Sequence, residues 1–174
     1  IMISSKTLNI DNPKLNCRLE GFNQFSPKRI ILDRNLEINL KSYIAKSVKN
    51  KNTIIFHNSN NKSKIKLLKK RGTILIKQST DKYKNLDLKK ILKDLYKMEI
   101  RNLLVEGGDI LTKNFLQKKL FNEFYMFRSS KNLSKNKKHV NFTSFSILNT
   151  KYNKHKINSK LATDKLTIYK NWNV

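Results

Sequence analysis

Apolar residues along this chain fall into short blocks that alternate between two periods. Ile1 to Ser5, Lys28 to Asp33 (KRIILD), Thr53 to His57 (TIIFH), Thr73 to Lys77 (TILIK) and Leu103 to Val105 are apolar runs with little polar alternation. Such runs predict strands covered on both faces, because an apolar residue on either side of a sheet needs shelter from water. Asn35 to Leu40 alternate weakly and predict an extension along a sheet edge. Helical spacing appears between the strands. Leu88, Ile91, Leu92 and Leu95 recur on one face of Asp87 to Met98, with Asp87 in N-cap position. Ser63 to Lys70 predict a shorter helix that Gly72 stops. After Gly108, a helix capped by Asp109 can place Ile110, Leu111, Phe115 and Leu120 on one face.

Toward the C-terminus, Phe121 to Phe127 predict a strand whose aromatics pack in the core. Tyr152 to Ser159 and Lys165 to Lys170 predict a hairpin joined through Ala162-Thr163-Asp164. Gly21 to Pro27 and the basic stretch Lys131 to His139 predict loops. The order strand, helix, strand, helix implies parallel crossovers. The expected fold is therefore α/β: a mixed sheet, mostly parallel, with helices on both faces and an antiparallel hairpin at the end.

The length of 174 residues suits one domain with a real core. No internal repeat or second domain boundary is evident in the pattern. The chain opens at Ile1 inside an apolar run, so its natural N-terminus is expected upstream. No apolar stretch approaches the roughly 20 residues that span a bilayer. The single cysteine, Cys17, leaves no internal disulfide and no cysteine pair for zinc, which points to a reducing, cytoplasmic setting.

Charge changes the picture less than its size suggests. With 38 Lys+Arg against 12 Asp+Glu, the formal net charge is +26, which favours association with polyanions. The lysines are spread along the whole chain together with abundant Asn and Ile, and no aromatic motif interleaves them. A basic surface would equally attract phosphorylated small molecules.

Candidate chemistry concentrates in two places. The first is LLVEGGDILTKNFL, Leu103 to Leu116. Here a buried run delivers Glu106, then Gly107 and Gly108, to the start of a helix, where free N–H groups and the positive dipole end favour an anion. The second is SSKTLNIDNPKLNCR, Ser4 to Arg18. Polar Thr7 and Asp11 follow a strand, Asp11-Asn12-Pro13 carries a turn signal, and Arg18 offers a fork for phosphate or carboxylate. Two strand-end clusters could hold the two ligands of a hydride transfer, which needs close, fixed approach and no protein nucleophile. His57 has no second His or Cys nearby, so no metal site is expected. Phosphate-loop, nucleophile-elbow, zinc-helix and Gly-x-Gly-x-x-Gly signatures are absent.

The two clusters, with KRIILDR between them, resemble the reductase domain of the bifunctional riboflavin-biosynthesis deaminase/reductase, and the likeness runs through nearly the whole chain. That family implies a dihydrofolate-reductase-like fold and NADPH as hydride donor. It also implies reduction of 5-amino-6-(5-phosphoribosylamino)uracil to its ribityl product. By motif position, the resemblance assigns Thr7 and Asp11 to NADP, Leu15, Arg18 and Glu106 to substrate, and Gly108, Asp109, Ile110, Leu111, Thr112, Lys113 and Asn114 to the cofactor. At Arg34, some relatives carry a serine that contacts the cofactor; an arginine there either pairs with the 2′-phosphate or points to solvent.

The family's zinc deaminase signatures do not occur in this sequence, so zinc chemistry belongs to a domain expected upstream. The first strand of the reductase fold is expected there too, and residues 1–174 alone are expected to be weakly active or poorly soluble. A homodimer through this domain is implied by resemblance only. Two alternatives stay open: a reductase of another pyrimidine or a pterin, and a basic nucleic-acid-binding module.

Overall fold

The computed structural model describes residues 1–48, 51–130, 142–157 and 164–171. It divides into two compact units, Ile1–Gly108 and Asp109–Val174.

In the first unit four parallel strands, β1 (Met2–Ser4), β2 (Arg29–Leu32), β3 (Thr53–His57) and β4 (Ile74–Lys77), lie side by side in that order. Register places Ile3, Ile31, Ile55 and Leu75 in one row across the sheet. That row packs with Leu8, Ile44, Ala45 and Leu68. These come from three connecting helices, α1 (Ser5–Asp11), α2 (Tyr43–Lys46) and α3 (Lys62–Lys70). The row on the other face, Met2, Ile30 and Ile54, is equally buried. The unalternating runs are thus explained, since both faces of the sheet are covered. Helix α4 (Leu88–Lys97) buries Leu88, Ile91 and Leu95, and the Asp87 carboxylate accepts the N–H groups of Lys89 and Lys90 as its cap.

Two expectations in this unit need correction, and helix α1 was not expected. Leu103 to Val105 do not form a fully buried strand. Only Val105 makes a bridge, parallel to Met2, and Leu104 is 60% exposed. The segment has β1 on one side and no strand among the described residues on the other. Asn35 to Leu40 form no edge strand, because the buried Asp33 carboxylate takes the N–H groups of Glu37 and Ile38, both at 2.7 Å. Such side-chain acceptors compete with a ladder for the backbone donors. The polar stretch after β1, for which the pattern predicted no element, is a helix: Ser4 caps it, and Asn12, in left-handed conformation (φ 43°), closes it. Leu8 is its one buried residue, so no apolar period announced it.

The second unit holds α5 (Asp109–Gln117), β5 (Glu123–Arg128), α6 (Phe145–Lys151), β6 (Asn153–Ile157) and β7 (Lys165–Lys170). Its strands form a separate antiparallel sheet in the order β5-β7-β6. The expected mixed sheet is therefore two sheets. Each ladder in the second is antiparallel, and the hydrophobic pattern sets burial without naming the partner strand. The Ala162-Thr163 part of the predicted turn, Asn158, Ser159 and the loop 131–139 lie outside the described residues.

Leu116, Leu148 and Tyr169 form the buried centre of this unit, with Phe121, Phe124 and Tyr152 packed around them. Phe121 meets Tyr152 edge-on at 4.9 Å between ring centroids. The aromatics of β5 do not all enter the core, however: Tyr125 and Phe127 are exposed, as the period of two along a strand requires. Asn171, almost fully buried, donates its side-chain amide to the carbonyls of Lys119 and Phe121 and ties the strand end to the turn after α5.

Candidate active site

The strand order decides where a ligand can enter. The chain proceeds β1, β2, β3, β4 in one direction, then returns to the free edge of β1, where Val105 pairs with Met2. The Met2 N–H donates to the Leu104 carbonyl at 2.8 Å, and the Glu106 N–H donates to the Met2 carbonyl at 2.9 Å. This is a reversal of strand order between β1 and the Val105 segment. In open parallel sheets the crevice beyond the carboxyl ends of the strands at such a reversal is the usual ligand site.

Glu106 emerges at that point, one residue past the bridge, beside the end of β1. Its side chain is exposed. Across the reversal, β1 delivers Ser4 and α1. The Ser4 hydroxyl accepts the Thr7 N–H at 3.2 Å and lies 3.0 Å from the Thr7 hydroxyl. Thr7 is half-buried, with Asp11 one helical turn further along the same face of α1 and exposed. Thr7 and Glu106 therefore both follow the carboxyl end of the β1–Val105 pairing, Thr7 in α1 and Glu106 one residue past the bridge. Ser4 acts here as the N-cap of α1, as a serine three residues before a threonine at a strand end can signal.

Other predicted residues lie elsewhere. Leu15 has φ 48° and packs partly against the core of the first unit. It also lines a cleft of about 590 Å³ near the amino ends of β2 and β3, away from the strand ends that carry Glu106. Arg18 is exposed in the loop before the short 3-10 turn Asn23–Phe25. Arg34 follows β2; its guanidinium donates to the Lys84 carbonyl and to Asn35. It is thus held by neighbouring chain rather than pointing freely into solvent.

Gly108 has no positive φ, and a Cβ added there would meet nothing within 4 Å. Neither backbone geometry nor packing demands glycine at this position, so the bare backbone is open to close approach by a ligand. Within α5, Leu111 and Phe115 are buried as expected, but Ile110 is 67% exposed. It points off the buried face because one residue turns the helix by about 100°. Lys113 is also exposed, and half-buried Asn114 donates to the Ile110 carbonyl at 2.9 Å.

Asp109 is engaged inside its own unit. Its carboxylate accepts the Thr143 hydroxyl (2.7 Å), the Thr143 N–H (3.0 Å) and the Ser144 hydroxyl (3.3 Å) at the start of α6. The hydroxyl of Thr143, first, and the other donors hold its carboxyl below the usual carboxylate range. A carboxyl lowered by folding contributes stability above its unfolded pKa and loses it as pH falls through the folded one. Acid titration below about pH 4 is expected to release Thr143 and Ser144 before the strands melt. Amide chemical shifts of those two residues check this, and Asp109→Asn should abolish the step.

His57, at the carboxyl end of β3, is buried with its Nδ1 unpartnered among the described residues, and burial pushes its pKa down. Among the described residues no three His, Cys, Asp or Glu side chains group as metal ligands. No helix among them is long and apolar enough to cross a membrane.

Comparison with known proteins places this architecture. The chain matches the model of the RibD C-terminal domain over residues 1–159. The chain belongs to that family. It is 30% identical over 132 residues to the riboflavin biosynthesis protein RibD of Actinobacillus pleuropneumoniae, covering 75% of this chain and 34% of that protein. It is 31% identical over 131 residues to RibD of Aquifex aeolicus, covering 75% and 35%. The chain thus spans about a third of the length of these curated relatives. Among solved structures, Acinetobacter baumannii RibD superposes with a TM-score of 0.72 at 20% identity, over 97% of this chain and 46% of that one. A pyrimidine reductase-like protein from Corynebacterium diphtheriae gives 0.71 at 14% identity, over 97% and 74%. These likenesses bear out the dihydrofolate-reductase-like α/β class of this RibD C-terminal domain, with its second sheet as described.

Proposed function

We propose that this chain carries out the reductase step of riboflavin biosynthesis, the NADPH-dependent reduction of 5-amino-6-(5-phosphoribosylamino)uracil to 5-amino-6-(5-phosphoribitylamino)uracil. The observation that carries the proposal is the reversal of strand order beside β1, with Glu106 following the Val105 bridge and the capped start of α1 following β1. Membership of the RibD C-terminal domain family supports the chemistry.

In this reading NADPH supplies the hydride, delivered to the sugar carbon attached to nitrogen. The chain's part is to bind and orient, which is most of what a hydride transfer asks of a protein. The Glu106 carboxylate accepts hydrogen bonds from the substrate and sets its register. Leu15 and Arg18 complete the substrate set, the latter as a cation for its phosphate. Thr7 and Asp11 take NADPH from α1, and residues 108–114 take it through the bare backbone of Gly108 and the exposed side of α5. Leu111 contributes main chain alone, its side chain being buried. A cytoplasmic homodimer is the expected working form.

Oxidation of NADPH, followed by absorbance with the pyrimidine substrate and the protein in its natural full length, tests the proposal; turnover no faster than without substrate would sink it. Gly108→Ala gives a sharper result. Because an added Cβ meets no protein atom, the unfolding midpoint should stay unchanged while the KM for NADPH rises roughly tenfold. An unchanged KM would remove Gly108 from the cofactor site.

A further inference from the structure

Helix α3 carries more positive charge than its place in the fold uses. Its sequence, KSKIKLLKK, holds five lysines and no acid, and from Ile38 to Thr80 the chain has neither Asp nor Glu. No ion pair among the described residues involves α3. The apolar side of the helix is committed to the sheet, with Leu68 fully buried and Ile65 packed against the same core. Lys62, Lys66, Lys69 and Lys70 are exposed. Helical spacing puts these four within one arc of about 100°, on the side away from Leu68.

This arrangement works against the helix itself. Like charges four residues apart, Lys62 with Lys66 and Lys66 with Lys70, repel. Lys62 and Lys64 add cations to the first turn, where the helix dipole is already positive. Helix α4 shows the contrast. It has lysines at the same spacing, Lys89, Lys93 and Lys97, but carries Asp94 between them and Asp87 at its cap, and Asp87 pairs with Lys90 at 3.9 Å. In α3 no carboxylate offsets the row, and a polyanion that neutralises it gains the release of its own counter-ions.

The surroundings of the lysines decide which polyanion fits. Insertion into a lipid interface needs a free apolar face, and that of α3 already lies on the sheet; Leu67, at 37% exposed, is the large apolar side chain it leaves at the surface. Single strands are held by aromatic stacking as well as by charge, and α3 contains no aromatic residue. Duplex RNA is held partly through its 2′-hydroxyls, which lysines, having no acceptor, read poorly. Duplex DNA asks only for charge at its backbone. A rigid row of cations about 6 Å apart meets about one phosphate per 1.7 Å of its axis.

We infer that the outer face of α3 docks on the phosphate backbone of duplex DNA through Lys62, Lys66, Lys69 and Lys70. Phosphate contacts position a protein without reading sequence, so the binding is sequence-independent. None of these lysines is among the residues assigned to substrate or cofactor, and the inference does not rest on the reductase reading.

Fluorescence anisotropy of a short labelled DNA duplex of mixed sequence, titrated with the full chain at several salt concentrations, tests it. Wild type is expected to bind, with log K falling against log salt at a slope of about −3.6 or steeper, about −0.9 for each lysine. The triple variant Lys62→Gln, Lys66→Gln, Lys70→Gln should bind roughly tenfold or more weakly at fixed salt, with a slope shallower by about 2.7. Its unfolding midpoint should equal or exceed that of wild type, because repelling pairs are removed. Lys89→Gln, Lys93→Gln, Lys97→Gln on α4 removes the same charge at the same spacing and should change affinity less than about twofold, since remote charges are screened. Equal losses from the two triple variants would assign the binding to net charge and overturn the inference. So would no binding by wild type, tighter binding of a single strand or an RNA duplex, or competition by poly-glutamate as effective, charge for charge, as that by unlabelled DNA duplex.

Discussion

Replacing Glu106 by Gln is expected to lower kcat/KM for the pyrimidine substrate by roughly 100-fold or more while leaving the protein folded. The two halves of that expectation have separate causes. Glu106 is exposed, and the bond that ties its position to β1 is made by its backbone N–H, not by its carboxylate. Loss of the charge therefore costs the fold little, because surface substitutions away from special features usually lie within about 0.5 kcal/mol. The carboxylate instead follows the Val105 bridge at the point where the strand order reverses beside β1, the position proposed for the substrate. Steady-state kinetics with an unfolding curve on the same preparation checks both halves. A nearly silent change would make Glu106 an ordinary strand-end residue and move the substrate site elsewhere. A joint collapse of activity and unfolding midpoint would make it structural.

Phe56→Ala is expected to have the largest effect on stability, a loss of about 3–5 kcal/mol. Phe56 is fully buried in β3, paired in register with Leu32 on one side and Ile76 on the other. All five residues of β3 are buried, so the void left by the ring has rigid neighbours and cannot collapse cheaply. Denaturant titration followed by circular dichroism measures it. A loss under about 1 kcal/mol would mean that the centre of the sheet repacks around the void.

Much of this was legible in the amino-acid order. TIIFH and KRIILD, apolar without alternation, could only be strands sheltered on both sides, and β3 and β2 are. The spacing of Leu88, Ile91 and Leu95 with Asp87 before them left little choice but α4 and its cap. Elements with little apolar surface escaped notice. Helix α1 buries Leu8 alone, and α2 has four residues. Helix α6 buries Leu148, too few apolar positions to declare a period. Helices α1 and α2 are capped by Ser4 and Ser42 and α6 packs Leu148 into the core of its unit; tertiary contacts hold such elements, since short helices are marginal by themselves.

The site divides the same way. That a helix opens just after Gly108 was readable from the residues, whereas the strand expected before Glu106 is a single bridge at Val105. Sequence alone determined that β2 and β3 are buried on both faces, that α4 carries an Asp87 cap, and the family to which the chain belongs. Only the tertiary structure decided that the Val105 segment returns to β1 and not to β4, for periodicity records burial and carries no address for the neighbouring strand. Tertiary structure alone also turned Asp109 toward Thr143 and Ser144, left Gly108 open, and buried Arg29 among neutral oxygens. Asp109 meets Thr143 from 34 positions away, and Arg29 meets Thr53 from 24. Local patterning has no reach over such separations.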